Sequence, residues 1–551
     1  MRKRSSLRIM LDLIHLAKGE LSDLVVAIIA GIISFLSTVG IAISGALLIV
    51  QLAWRIDLSF KKIILMMAIF VFFRGLTRYL EQFLNHLVAF KVLRMLRDKV
   101  FAAIRRLAPA KIEGSNKGEL ISMITGDIEL IEVFYAHTIS PICIAVVCGT
   151  IYIVSIARFS PPIALTTLLS YLLMGTVLPV LFSKWAKNTG YVLRKEIGGL
   201  NNIFLDLLRG ITEIMQFSYR DKAIKVVEKS NTSLITRQAQ LIEQLALLLG
   251  IEDAIAVLTS GIAVLIGMRT GLSWHILLPI AFGIFFSFPA IANVASLGNG
   301  LSQSLACGER VLNLLEEEPV VKEIKNGVDL NLQDNKADSI IEIENLSFAY
   351  GEQAILKDFN LKIAPGEILG IQGESGCGKS TLLKLIMRFW SADMGEIRLC
   401  GVPIENINTQ SLWNNIGYMT QNTEFFEGTI RDNLLIAKPN ASDGKMKAAL
   451  EKASILDFVE SLEHGMDTRL TELGDNFSAG ERQRFGLARC FLEDAGILLL
   501  DEPTSNLDVL NENIILSALK EYQAGRTIIM VSHRESSLKI CDRIIQMQGQ
   551  E

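Results

Sequence analysis

The chain lacks a cysteine framework. Its 551 residues hold seven cysteines, an odd number, and no two form a C-x-x-C pair. That argues against a disulfide-stapled secreted fold, and the thiols are expected to be reduced. It also lacks an excess of either charge. Lys and Arg number 54 against 58 Asp and Glu, a net charge of −4. Such a balance favours no polyanionic partner, so nucleic acid is not expected as a ligand. The most telling absence is local: no charged residue occurs from Leu24 to Trp54. About 31 residues of helix would measure about 46 Å, more than a bilayer core needs. This segment is expected to tilt, to bend at Gly40 or Gly45, or to project beyond the membrane. It is too long for the apolar region of a signal peptide, so it is expected to stay in the membrane. The basic start, Arg2, Lys3, Arg4 and Arg8, places the N-terminus on the cytoplasmic side.

What is present divides the chain. Half of the residues are hydrophobic and the mean hydropathy is +0.38, yet 20% are charged. This combination predicts a membrane part joined to a soluble part. Six spans are expected at about 24–54, 63–90, 139–156, 163–182, 245–268 and 274–297, within an all-α transmembrane domain over 1–319. Pro279 and Pro289 are expected to kink the sixth. Residues 320–338 read as a linker and 339–551 as the soluble domain. The second apolar run, Ile63 to Phe73, is too short alone. The helical pattern continues through Arg74, Arg78 and Glu81, which share one face. Two readings stand: the charges face a cavity or a partner, or they sit at the interface and snorkel. The polar insertions after spans 2 and 4 fall on the cytoplasmic side. Lys91, Arg94, Arg97, Lys99, Arg105 and Arg106 in the first of them agree with the positive-inside rule.

The soluble half carries the chemistry. Gly373, Glu374, Ser375, Gly376, Cys377, Gly378, Lys379, Ser380 and Thr381 fit G-x-x-x-x-G-K-[ST]. An apolar run reads as a strand before the loop, and another reads as a helix after it. Backbone N–H groups and the helix start would converge on polyphosphate. Lys379 would reach the terminal phosphates and Ser380 would help hold Mg²⁺. Cys377 is either a redox switch or a small residue at a variable position. Tyr350 ends an alternating strand pattern and would either stack on adenine or cap the strand as a buried aromatic. Ile497 to Leu500 is an apolar run ending in Asp501 and Glu502, as a buried parallel strand does where it meets a ligand. Asp501 would hold Mg²⁺ through water, and Glu502 would polarise the attacking water. Gln421 and His533 follow two further strand patterns, where they would sense the metal and the γ-phosphate. Phe477, Ser478, Ala479, Gly480 and Glu481 read as a turn opening a second anion-binding helix. One chain would then have two phosphate-binding helix ends. A head-to-tail dimer would close each on nucleotide held by the other chain.

In this order these residues resemble the ATP-binding cassette ATPase, an α/β phosphate-loop domain. Ser505 to Asp508 fits the family's next loop. Thr471 to Gly474 resembles the loop of exporter-type cassettes that touches the intracellular helices. Six spans before the cassette resemble an exporter half-transporter. The signature departs from L-S-G-G-Q at Phe477, Ala479 and Glu481. Ala479 adds a methyl where backbone should approach phosphate closely, which hints at a heterodimer. The run Arg78 to His86, with Phe90 to Arg94, Gly118 to Ser122, Gly126 to Glu129 and Tyr135 to Pro141, is similar to the CydC half of the CydDC exporter. That resemblance implies export of cysteine or glutathione, cytochrome bd assembly, a CydD-like partner chain and an inner-membrane location with the ATPase in the cytoplasm. It implies ATP and Mg²⁺ as ligands, and haem at His86. A helix-surface histidine is the other reading of that residue. A peptide, lipid or drug exporter shares the architecture. A membrane ATPase that senses rather than transports is the reading from another class.

Overall fold

The computed structural model describes residues 4–54, 59–114, 117–295, 297–332, 338–470, 477–505 and 507–548. The loop 471–474 therefore lies outside the described residues. Two compact units emerge. One comprises 1–104 with 115–317, and the other 105–114 with 318–551.

The first unit is helical. Among the described residues, six helices are long and apolar enough to cross a membrane. The second, Phe60–Leu107, runs 48 residues, well past position 90 where the apolar pattern fades. Its later part is rich in charged side chains but holds no proline or glycine, so nothing in the sequence ends the helix. The fifth, Arg220–Arg269, is longer still at 50 residues. The sixth, Trp274–Ala295, is one helix with both Pro279 and Pro289 inside it. Several hydroxyl side chains are satisfied within their own helix. Ser37, Thr38 and Ser44 donate to carbonyls four residues back, a low-cost solution where water is scarce.

Two glycines in this unit admit a neighbouring aromatic ring. A Cβ at Gly283 would lie 1.9 Å from the Tyr152 hydroxyl, which instead donates to the Ile280 carbonyl at 3.0 Å. Gly40 faces the Phe70 ring, 2.7 Å from where its Cβ would stand. Its evident role is to admit that ring, as small residues do between membrane helices. On the polar side of the unit, Arg310 forks onto Asp127 with bonds of 2.6 and 2.5 Å. The buried Tyr135 hydroxyl donates to the Leu13 carbonyl at 2.7 Å, tying the N-terminal helix Ser6–Leu16 to the same corner.

The second unit is α/β. Its strands are β1 (Ile341–Tyr350), β2 (Gln353–Ile363), β3 (Ile368–Gly373), β4 (Met394–Leu399), β5 (Val402–Pro403), β6 (Ile416–Met419), β7 (Gly428–Thr429), β8 (Arg469–Leu470), β9 (Ile497–Asp501), β10 (Thr527–Val531) and β11 (Arg543–Met547). Strands β2-β1-β4-β5 form an antiparallel sheet, and β11-β3-β10-β9-β6 a parallel one. Strands β9 and β10 are buried throughout, which explains their unbroken apolar sequences. Register aligns their ends: Val531 pairs with both Ile371 and Asp501, and Leu500 with Met419. The residues that follow β3, β6, β9 and β10 are thereby gathered at one edge, where open α/β sheets bind ligands.

Candidate active site

The phosphate loop leaves β3 at Gly373 and enters the helix Lys379–Ile386. Gly376 and Gly378 have φ of +86° and +101°, a region open to glycine and strained for other residues. The helix buries Leu382, Leu383, Leu385 and Ile386 in the core, which fixes its N-terminus against the sheet. Glu374 and Ser375 are in the turn, Thr381 is in the first helical turn, and Lys379 and Cys377 are buried. The Lys379 ammonium donates to the carbonyls of Gly373 at 2.8 Å and Glu374 at 2.6 Å. It lies 3.7 Å from the Cys377 sulfur.

Opposite the loop stands the end of β9. Ser380 Oγ donates to Asp501 Oδ1 at 3.0 Å. Burial pushes the Asp501 carboxyl above its usual range, opposed by the Ser380 hydroxyl. Two adjacent hard oxygens suit Mg²⁺, which takes few protein ligands besides water and phosphate.

Glu502, next along, adopts φ +52°, unusual for a residue with a side chain. Its backbone N–H is held by the Val531 carbonyl at 3.0 Å. The strained turn swings its carboxylate between two side chains. Gln421 Nε2 donates to Oε2 at 3.1 Å, and His533 Nδ1 lies 3.2 Å from Oε1. Three residues separated by up to 112 positions thus meet on one carboxylate, at the sheet edge the register predicts.

The helix Ala479–Glu493 begins at Ser478. The Ser478 Oγ accepts from the Glu481 N–H at 3.3 Å, and the Glu481 carboxylate accepts from the Ser478 N–H at 2.8 Å. This reciprocal cap explains glutamate at the fifth signature position, and S-x-x-E in the sequence signals it. Gly480 lies in the first helical turn, while Phe477 is buried against Phe425, Phe458 and Phe485. An aromatic in place of leucine here fills the core.

Several contributors had no local sequence signal. Gln483 donates to the Glu502 carbonyl at 3.2 Å and to Ser505 Oγ at 2.9 Å. Arg534 donates to the carbonyls of Thr504, Ser505 and Leu507, holding that loop from the residue after His533. Trp390 meets Tyr350 edge-on, with centroids 5.0 Å apart, and Phe348 packs against both. Tyr350 is half-buried at the end of β1, with its ring carried by this aromatic group. Glu113, from residues 105–114 of the same unit, accepts from Trp390 Nε1 at 3.1 Å and pairs with Lys384 at 3.1 Å.

The helical unit holds a second feature. A cavity of about 610 Å³ is lined by Arg74, Arg78, Glu81 and Asn85 among others, within the range of small-molecule sites. This favours the cavity reading of the three charges over snorkelling. His86 follows Asn85 on the same helix. Its Nδ1 is 3.2 Å from the Glu132 carboxylate, and its ring meets that of His137 at 5.2 Å.

The comparisons agree with this geometry. Residues 22–295 match the model of the ABC transporter transmembrane region, and 356–505 that of the ABC transporter. A probable ABC transporter ATP-binding/permease protein of Haemophilus influenzae is 42% identical over 94% of both chains. The glutathione/L-cysteine transport system ATP-binding/permease protein CydC of Escherichia coli is 30% identical over 86% of this chain and 82% of its own. A solved bacterial Atm1-family ABC exporter with ATP bound superposes with a TM-score of 0.81, covering 97% of this chain and 94% of that one, at 22% identity. The chain belongs to the ABC transporter family: it is a multi-pass exporter half-transporter whose ATPase domain binds ATP and couples its hydrolysis to transport, in an assembly of two halves.

Proposed function

We propose that this half-transporter exports a small thiol, cysteine or glutathione, across the inner membrane, with its N-terminus and ATPase domain in the cytoplasm. The observation that carries the reading is the similarity to CydC over most of both chains. A role in cytochrome bd assembly and a second half of CydD type follow from the same resemblance. Ala479 supports two unlike halves, because its methyl stands where the partner's nucleotide would meet the signature helix.

In this reading Gly373 to Thr381 cradles the phosphates. Lys379 exchanges its two loop carbonyls for phosphate oxygens. Ser380, Asp501 and Gln421 would hold Mg²⁺, which when bound would draw charge from the phosphates. Glu502 takes a proton from the attacking water, and His533 steadies Glu502 and the γ-phosphate. Ser478, Ala479, Gly480 and Glu481 face the partner's ATP. Tyr350 presents its ring to adenine. Tighter binding of ATP to the closed dimer than to the open one shifts the membrane half outward.

His86 offers a haem one nitrogen. Its Nδ1 is engaged by Glu132, and Nε2 makes no hydrogen bond among the described residues. That is the arrangement in which a carboxylate orients an imidazole ligand. Bound haem would supply a redox-active iron.

The test is ATP-dependent uptake of radiolabelled cysteine and glutathione by inside-out vesicles holding this chain and its partner half. The proposal expects uptake of at least one thiol. Uptake of a lipid or drug probe alone would overturn it.

A further inference from the structure

The backbone that carries Glu502 is strained. Its φ of +52° lies in the left-handed region, which few residues with a side chain adopt. Pro503 follows it, and a residue before proline favours extended backbone. Such a conformation persists only where its surroundings over-determine it. Two backbone bonds contribute. The Glu502 N–H donates to the Val531 carbonyl at 3.0 Å, and the Ser505 N–H closes a turn onto the Glu502 carbonyl at 3.3 Å.

A side chain from another element spans the same turn. Gln483 is 2% exposed, and its Nε2 donates to the Glu502 carbonyl at one end and to the Ser505 hydroxyl at the other, at 3.2 and 2.9 Å. Ser505 is held from a second side, because Arg534, the residue after His533, donates to its carbonyl at 2.7 Å. Gln483 stands three residues beyond Gly480 on the helix Ala479–Glu493. That helix is fixed independently of the turn. Phe485, Leu487, Ala488 and Leu492 are buried in the core, and the Ser478–Glu481 cap closes its start. A packed helix with a buried amide is a rigid mount for a strained turn.

We infer that Gln483 is a positioning residue for ATP hydrolysis. It locks the turn from Glu502 to Ser505, so that the Glu502 carboxylate stays between Gln421 and His533. Through this amide, the helix that faces the partner half's nucleotide also holds this chain's own base. The inference rests on the reading of Glu502 as base and of Ser478 to Glu481 as the face toward the partner's ATP.

The test measures ATP hydrolysis and retention of radiolabelled ATP by the full-length chain with its partner half, for the parent, Gln483→Met, Glu502→Gln and the double variant. Methionine keeps the length of the side chain and removes its donor. A misplacement of about 1 Å costs about a hundredfold in rate, so kcat should fall at least about tenfold. KM should stay within about twofold and ATP should be retained, because the phosphate loop and the signature are unchanged. On the Glu502→Gln background the same change should lower the rate no further, since the base it positions is already gone. Gln483→Asn, one methylene too short to reach either acceptor, keeps a polar side chain there and should show the same split. It serves where Gln483→Met does not fold. A parental kcat in either folded variant, beside a large loss in Glu502→Gln, would overturn this inference alone. Loss of ATP retention together with kcat would also overturn it, assigning Gln483 to the signature helix only, as would a further fall in the double variant. Parental hydrolysis by Glu502→Gln would remove the base assignment itself, and the inference with it.

Discussion

Replacing Glu502 by glutamine separates chemistry from structure at the ATP site. The change keeps the shape of the side chain and removes its basicity. A positioned general base contributes about 10²–10⁴ in rate, or about 3–5 kcal/mol of barrier. The amide oxygen of glutamine can still accept from Gln421, and its amide nitrogen can donate to His533 Nδ1, so both contacts survive in neutral form. The backbone bond from Glu502 N–H to Val531 is untouched. Stability should therefore change by no more than about 1 kcal/mol, a few degrees in the melting temperature of the ATPase domain. The expected phenotype of Glu502→Gln is a rate of ATP hydrolysis at least about a hundredfold lower, with ATP retained. The assay is phosphate release and retention of radiolabelled ATP by the full-length chain with its partner half. Hydrolysis at the parental rate would refute the assigned role. Loss of ATP retention together with hydrolysis would show that Glu502 acts in binding instead.

Two other perturbations follow from the structure. Gly378→Ala places a methyl at φ +101° and 2.9 Å from an Ile355 methyl. It should cost about 1–2 kcal/mol and weaken ATP binding more than tenfold, read by thermal unfolding and nucleotide titration. Burial raises the Glu493 carboxyl from 4.5 to about 7. Its charged form is therefore disfavoured in the folded chain, a cost absent below the unfolded value and complete above about pH 7. Glu493→Gln should stabilise the ATPase domain by about 1–3 kcal/mol at pH 8, the raw shift discounted for partial exposure, and by less than about 1 kcal/mol at pH 5. Melting temperatures at the two pH values check this, and an equal gain at both would contradict it.

Much of the candidate ATP site was legible because its parts are local. A strand, a glycine loop and a helix lie within one continuous stretch, and apolar runs ending in acid mark where buried strands meet a ligand. Gln421, Glu502 and His533 were legible for the same reason, since each follows such a run. What brings them onto one carboxylate is sheet register, which no single segment encodes. The braces from Gln483 and Arg534, and the link from Glu113 through Trp390 to Tyr350, depend on loops that meet only in the folded chain. The cap between Ser478 and Glu481 is present in the sequence as S-x-x-E, within the same five residues that resemble the phosphate-facing signature. In the membrane half, helical spacing put Arg74, Arg78 and Glu81 on one face. It could not distinguish a cavity from a lipid interface, because the other walls come from helices distant in sequence.

The central claim is that hydrolysis at Glu502 drives movement of a small thiol. Its most direct test measures ATP hydrolysis and uptake of radiolabelled cysteine and glutathione in the same inside-out vesicles, for the parent chain and for Glu502→Gln, each with the partner half. The account predicts that uptake rises with hydrolysis in the parent and that both vanish in the variant. Sustained hydrolysis by the parent chain with no uptake of either thiol would contradict it.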